Sequence, residues 1–485
     1  MIKRFAVILV AVIGLGSMPS SFARTWTQAA TGRKIEADPV GVEGANVVLR
    51  LNDGQTVKVP VNTLSAEDQE FVKTMAPKGG GSPASGTDWP AFRGADGTGI
   101  SPDTGLLEKW PSDGPEKIWT YDKAGMGYSG FAVVDGRLYT QGTRDTDVTM
   151  ICVDADSGKK IWSRSYAEDD SKGYNAGWGN GPRGAPSVND GKVYGLGPKG
   201  ILVCIDAEKG SVVWKKDLIK DFSGEPGKWG YSETPIVDGE KLIVAPGGNK
   251  AGIVALNKDT GDVIWTADEV QPGMAEYATI VVSEMNGKRQ YIKFFEKIVA
   301  SVDAETGRLL WQGDFPKGKV AVIPTPIVDG NQVYVSAGYS AGCRAFEISS
   351  SNQVKELWTN NEMSNHHGGV IKFGDHIYGF DNGKGLVCQD WDTGKLTWMN
   401  KDRQFLSKGA VHIADGMIYA LNEQNGALTL ISANPEGYKE HGRFILDPQS
   451  PNRNPQGRIW THPLVIGGKL YLRDQEFIHC YDVKK

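Results

Sequence analysis

Residues 154–162 read DADSGKKIW, and near-copies follow at 206–214 (DAEKGSVVW), 257–265 (NKDTGDVIW), 303–311 (DAETGRLLW) and 390–398 (DWDTGKLTW). In each copy Asp or Asn stands eight residues before Trp, with Gly four before it. An apolar strand runs into the polar residue, whose side chain holds turn amides. The Gly supplies the dihedral the turn needs, and a β-rich strand then ends in Trp. An indole is too bulky to sit singly on a sheet face, so it is expected to wedge between neighbouring units, reusing one interface around the fold. Trp358 ends a degenerate copy, EISSSNQVKELW. From Trp162 to Trp398 the tryptophans recur every 40–52 residues, the period of β-propeller blades.

A second pattern precedes each unit: GFAVVDGRLY, APSVNDGKVY, TPIVDGEKLI, TPIVDGNQVY, GVIKFGDHIY, AVHIADGMIY and HPLVIGGKLY. These are hairpins from an innermost strand to a second strand. Their first positions are Gly130, Ala185, Thr234, Thr325, Gly369, Ala410 and His462, with Ala278 expected in the remaining blade. All but His462 are small, as crowding around a central axis requires. The count is eight. The last hairpin, near 462, has no Trp strand after it, and Lys117–Tyr121 is a Trp strand with no hairpin before it. Pairing across the termini satisfies both edges, so Ile118 and Trp119 are expected outermost in the blade holding residues 470–483. The fold class is all-β: an eight-bladed propeller with tryptophan-docking repeats, preceded by a small β-barrel domain.

The DxxTGxxxW units resemble the tryptophan-docking repeats of the PQQ-like (quinoprotein-like) propeller family. That family includes quinoprotein dehydrogenases and the propeller lipoprotein of the outer-membrane barrel-assembly machinery. WPAFRGADGTGIS at 89–101 and NHHGGV at 365–370 look like a secreted bacterial branch of it. RTWT, the Asn52-Asp53-Gly54 turn and LSAEDQEFV look like an SLA-type homology domain, an SH3-like module that binds short peptides in its eukaryotic relatives. The resemblance is specific for fold and weak for activity, because the family holds enzymes and non-enzymes.

Working outward, residues 1–23 read as a cleaved signal peptide: Lys3 and Arg4, an apolar run from Phe5 to Leu15, and small residues at 21–23. The run is too short to span a bilayer, and no later segment is apolar enough to do so. The chain is therefore expected to be exported, periplasmic or extracellular. Residues 24–76 form the small module, with strands at 34–42, 47–51 and 56–61 and a helix N-capped by Ser65. Residues 77–88 (PKGGGSPASGTD) are a linker, and 89–485 the propeller. The net charge of −5 and the lack of a basic stripe argue against nucleic acid as a partner. Four of the five cysteines, Cys152, Cys204, Cys388 and Cys480, sit in matching settings at the ends of apolar strands. Equivalent places in different blades are too far apart to bridge, so they read as small buried hydrophobes.

Residues just before the innermost strands are expected to line one channel mouth: Tyr128, Arg183, Glu233, Glu276, Tyr277, His367, Lys408 and Trp460. His366 and His462 complete the candidate ligand-binding set. The mixture of charge and aromatics suits a peptide or small polar ligand. His366-His367 is the sharpest local motif. A metal reading meets the objection that strand neighbours face opposite ways, which leaves one of the two at the axis. By the family resemblance, a dehydrogenase of this fold holds PQQ and calcium through Glu, Asn and usually Asp, beneath a disulfide of adjacent cysteines. This chain has no adjacent cysteines. Glu276 and Asn180 are the residues that could be argued for. The expected function is therefore a non-enzymatic binding or scaffold propeller with no cofactor, engaging a protein, peptide or small polar ligand. A PQQ-dependent dehydrogenase and an outer-membrane assembly factor are the alternatives.

Overall fold

The computed structural model describes residues 24–29, 33–43, 46–51, 56–75, 87–315, 322–400 and 402–485. The expected signal peptide, most of the expected linker and the Asn52-Asp53-Gly54 turn lie outside them. The chain divides into two compact units, residues 1–79 and 80–485. No helix among the described residues is long and apolar enough to cross a membrane.

The first unit is a four-stranded antiparallel sheet, Arg24–Thr27, Lys34–Glu43, Asn46–Leu51 and Thr56–Pro60, followed by the helix Ala66–Met75. The sequence reading omits the first strand, whose RTWT is too short to show alternation. Trp26 is fully buried, and its indole donates to the Ala37 carbonyl. Ser65 caps the helix: its Oγ accepts from the Asp68 amide and donates to the Asp68 carboxylate. Asp68 in turn accepts from the Thr27 amide and pairs with Arg24.

The second unit is eight four-stranded antiparallel meanders. Blade 1 runs from Ala132–Val134 to Lys160–Glu168, blade 2 from Ser187–Asn189 to Val212–Asp217, and blade 3 from Ile236–Asp238 to Val263–Ala267. Blade 4 runs from Val281–Met285 to Leu309–Asp314, blade 5 from Ile327–Asp329 to Val354–Asn360, and blade 6 from Val370–Phe373 to Leu396–Met399. Blade 7, from Gly409–Ala414 to Glu440–Ile445, gains a short parallel fifth strand, Ile100–Ser101. Blade 8 takes three strands from the C-terminus, Leu464–Ile466 to Phe477–Asp482, and its outermost strand, Lys117–Tyr121, from the other end of the propeller. Cys480 pairs with Trp119 across that join.

The repeat residues act as the sequence suggests. Asp154, Asp206, Asn257, Asp303 and Asp390 accept from turn amides two or three residues on. The turn glycines have φ between +67° and +76°. A Cβ on Gly158, Gly210, Gly261 or Gly307 would lie 2.5–2.9 Å from the indole of the preceding blade. The docking interface is therefore Trp on Gly. The indole N–H completes it by donating to a carbonyl of the next blade, as Trp162 does to Ala207 and Trp214 to Lys258. Trp119, Trp265 and Trp311 are buried, whereas Trp162, Trp214, Trp358 and Trp398 keep part of the ring in solvent. Seven of the second strands bring a buried Tyr against this layer, for example Tyr139, Tyr194 and Tyr471. All five cysteines are buried and unbridged.

The segment before the first blade closes the turn face of the channel. Trp89 pairs with Val133 of blade 1, and the Pro90 carbonyl takes the Val188 amide of blade 2. The buried Arg93 guanidinium then donates to the Val370 carbonyl of blade 6 and to its own loop at Gly97 and Thr98. Leu107 bonds Val483, and Trp110 packs on Tyr419 and Phe444 of blade 7. Phe92, edge-on to His462, lines the axial cavity on one side and a pocket of about 40 Å³ on the other.

Candidate ligand-binding mouth of the channel

Above Phe92 the channel opens into a cavity of about 490 Å³, on the face where outer strands lead into inner ones. Its lower wall is a ring of first-position residues. Gly130, Ala185, Thr234, Thr325 and His462 all line it, and blade 4 supplies Thr279 rather than the expected Ala278. The ring interlocks, since the Thr234 amide donates to Thr279 Oγ1 and the Thr279 amide to Thr325 Oγ1.

Tyr128, Arg183, Tyr277, His366, His367, Lys408, Trp460 and His462 are brought together on the cavity wall. Glu233 and Glu276 are not. Each precedes a wall residue, Thr234 and Tyr277, but its own side chain is turned to other partners. Glu233 is buried in the seam between blades 3 and 4, where it pairs with fully buried Lys293 at 2.8 Å and accepts from the Ala245 amide. Glu276, at φ +52°, turns away from the axis and accepts from the Val322 amide. Sequence reasoning missed the other acid: Glu423 lines the wall, although it follows a second strand rather than preceding a first.

The histidine pair also departs from expectation, because both rings line the cavity. They sit in irregular backbone before the strand that begins at Val370, and the Gly368-Gly369 that follows frees the chain from strand alternation. Their rings stack with centroids 3.7 Å apart. The column continues from His367 to Trp460 at 4.5 Å and from Trp460 to Trp178 at 6.3 Å, and on the other side from His366 to Tyr339 at 4.6 Å. It thus runs between two exposed aromatics across the mouth, with Tyr128 against Trp460 at 4.9 Å. Trp229 and Tyr277 form a second aromatic pair in the wall.

The polar groups are held tightly. Lys408 Nζ lies 2.8 Å from His366 Nδ1 and 3.5 Å from Glu423. The Trp460 indole N–H donates to Glu423 at 3.0 Å, and His367 Nδ1 lies 3.5 Å from the same carboxylate. His462 Nε2 bonds the His367 carbonyl. Burial drives His366 and His367 below the ordinary imidazole value, and Lys408 adds to the effect on both. Burial takes His462 down to about 4. These rings are neutral at pH 7. Because the Lys408 ammonium donates to His366 Nδ1, the ring proton falls on Nε2, which has no hydrogen-bond partner among the described residues. Burial lowers Lys408 as well. It also works against the Glu423 carboxylate, but His367, Lys408 and Trp460 outweigh it and hold Glu423 below its ordinary value. Arg183 donates to the Gly179 and Gly181 carbonyls and lies against the rings of Tyr128 and Tyr174.

Residues 144–400, more than half of the chain, match the family model described as outer membrane protein assembly factor BamB. The chain belongs to this family. Residues 18–78 match the model for SLA1 homology domain 1. The BamB of Shewanella oneidensis is 23% identical over 339 residues, which cover 59% of this chain and 81% of that protein. Among solved structures, BamB from Moraxella catarrhalis superposes with a TM-score of 0.55 at 14% identity, over 76% of this chain and 99% of that one. The quinohemoprotein alcohol dehydrogenase ADHIIG from Pseudomonas putida HK5 gives 0.59 at 13%, over 82% and 80%. Likenesses this distant show the fold alone: BamB and the quinohemoprotein share the propeller, and the site must decide between their chemistries.

PQQ and calcium do not fit the donors present. Glu423 is the one carboxylate among the described wall residues, and an indole, an imidazole and an ammonium already surround it. Glu276 faces away, and Asn180 is not part of the wall. The described residues hold no group of three or more His, Cys, Asp and Glu able to bind a metal ion.

Proposed function

We propose that the chain is an exported, non-catalytic recognition propeller that holds a peptide or small polar ligand at the open mouth. The observation that carries this reading is the one-ended cavity of about 490 Å³, floored by Phe92 and walled by aromatic rings with a few fixed polar groups. Ligand sites are typically concave, mostly apolar, about 300–1,000 Å³, and marked by convergent polar groups of this kind. The small N-terminal module, on the linker expected at 77–88, gives a second point of contact and so a gain in avidity.

The test is titration of the full chain with a panel of peptides, organic acids and saccharides, reading tryptophan fluorescence and amide exchange at 458–462. A ligand that quenches the wild type but not Trp460→Ala supports the reading. If no panel member does so, the reading fails. Alcohol oxidation by the chain after loading with PQQ and calcium would also overturn it.

A second reading is favoured by the family match: a scaffold role in outer-membrane protein assembly, the role named for its relatives. Binding of purified barrel-assembly components to the propeller supports that reading, and lack of binding removes it.

A further inference from the structure

We infer that the mouth takes an acidic saccharide, one or two sugar rings bearing carboxylate. The inference rests on the recognition reading above and names the ligand class for the same site.

Charge comes first. Among the described wall residues the cations are Arg183, Lys408 and Arg458, against Glu423 alone. With the histidines neutral, the wall carries two positive charges in excess, on a chain whose overall charge is −5. Glu423 already accepts from the Trp460 indole and lies 3.5 Å from the Lys408 ammonium. The cations still have donors to give. Within the chain, Arg458 bonds the Gln456 and Gly457 carbonyls through Nη1, which leaves Nε and Nη2, and Arg183 uses two of its five N–H groups. A carboxylate is the natural complement of a guanidinium with unused donors in a partly desolvated site.

The rest of the wall narrows the ligand body. Trp178 and Tyr339, the exposed ends of the aromatic column, offer ring faces at the mouth, the surface on which the C–H face of a pyranose packs. A flat aromatic acid would use those faces equally well. It would leave unused the hydroxyls of Ser232, Thr234, Thr279 and Thr325 deeper in the wall. Ser232 Oγ and His366 Nε2, both in wall residues, have no partner among the described residues, and buried polar atoms without partners mark where hydrogen bonds are owed. A sugar ring brings donors and acceptors on several sides at once. The floor at Phe92 limits the ligand to a short oligosaccharide end rather than a threaded chain.

The experiment is calorimetric titration of the full chain with a β-linked diglucuronate, with cellobiose as its uncharged counterpart, with pyridine-2,3-dicarboxylate and with an acidic tripeptide. Diglucuronate is expected to bind at least about tenfold more tightly than the other three, and more weakly as salt is raised. Arg458→Gln and, separately, Lys408→Met each weaken diglucuronate about tenfold and bring its affinity toward that of cellobiose. Thermal melts check that both variants are folded, and Arg458→Gln carries the test if Lys408→Met disturbs His366. Equal binding of cellobiose, preference for the dicarboxylate or the tripeptide, or indifference to both substitutions overturns the inference. If no saccharide binds but another compound still reports through Trp460, this inference falls and the recognition reading stands. If nothing binds, both fall.

Discussion

Blades 1 and 8 build the same turn with different connectivity. In blade 1 the loop is continuous: the Asp154 amide donates to the Lys159 carbonyl, Gly158 lies under Trp119 of the preceding blade, and Trp162 follows four residues later. In blade 8 the chain ends intervene. The Asp482 amide donates to the Glu116 carbonyl, Gly114 lies under Phe444 of the preceding blade, and Trp119 follows. Glu116 stands three residues before its Trp, as Lys159 does. What repeats around the ring is a set of positions in space, and covalent continuity is not part of it. The join carries an extra fastening. Fully buried Arg473 of blade 8 donates to the Gln141 carbonyl of blade 1, and to those of Ala124, Gly125 and Ser129 just before it. The seam between blades 3 and 4 meets its buried cation, Lys293, with a carboxylate instead.

The largest effect expected from breaking this comparison is loss of the closed ring. Deleting 117–121 strips blade 8 of its outer strand and exposes the edge of Phe477–Asp482. An unpaired edge templates association, so the deletion variant should aggregate, read by size exclusion with light scattering. A soluble monomer of unchanged melting temperature would show that the join contributes nothing.

Next in size come the docking tryptophans. Trp119 is 8% exposed and spans the join, whereas Trp214 docks blade 2 on blade 3 with its ring partly in solvent. Emptying a buried aromatic site costs about 3–5 kcal/mol. Trp119→Ala should cost that much, and Trp214→Ala roughly 2–3 kcal/mol, because part of its surface never leaves water. Denaturant unfolding measures both. If Trp214→Ala proves the costlier, the join is not the tighter seam.

The repeats and the closure are legible in sequence because they rest on period-locked residues: Asp, Gly and Trp at fixed offsets, and one strand too few at one end. The second-strand tyrosines left a signal too, in GRLY, GKVY and GKLY, but nothing in one hairpin says that its Tyr backs a tryptophan. Trp110 and Gly114 are harder. PSDGPEKIW at 111–119 has the turn and the Trp of a repeat, yet its missing Asp lies more than 360 residues away at Asp482. The floor is not legible, because 89–101 has no periodicity and acts by crossing the axis. For the site, position along the chain is readable and side-chain direction is not. Glu233 and Glu276 turn to partners behind the wall, while both histidines stay at the mouth.

A third difference between the two ends of the propeller is acid sensitivity. All seven histidines fall between 366 and 479, in blades 6–8, and blades 1–5 have none. Burial lowers His366, His367, His412, His462 and His479, with His412 at about 3 and His462 and His479 at about 4. As pH falls below the unfolded value of about 6.5, the unfolded chain takes up protons that the folded chain refuses, so stability falls through the window from 6.5 to 4. A fully buried group shifted from about 6.5 to about 4 contributes on the order of 3 kcal/mol. Amide exchange at pH 4.5 should open blades 6–8 and the Lys117–Tyr121 strand first, and His412→Phe should flatten the pH slope. Opening that begins in blades 2–4 contradicts this.

The smallest effect is the most direct check on the equivalence of the two turns. Gly158 has φ +67°, and an added Cβ would lie 2.6 Å from the Trp119 ring; Gly114 has φ +83°, and its Cβ would lie 2.6 Å from Phe444. Each substitution to Ala meets two penalties, a left-handed backbone that alanine adopts at a cost of about 1 kcal/mol and an aromatic ring that must shift. Gly136 separates them. It sits at φ +70° in a hairpin turn with nothing within 4 Å of a Cβ, so Gly136→Ala feels the backbone term alone. The expected order is Gly136→Ala at about 1 kcal/mol, with Gly114→Ala and Gly158→Ala about equal to each other and roughly 1 kcal/mol beyond it. Denaturant midpoints at a common slope resolve these differences. Agreement between Gly114 and Gly158 means that the split turn carries the same load as the continuous one. If Gly114→Ala falls to the level of Gly136→Ala, the N-terminal segment yields at the join, and the eighth blade is held by its strand pairing and Arg473 rather than by a docked turn.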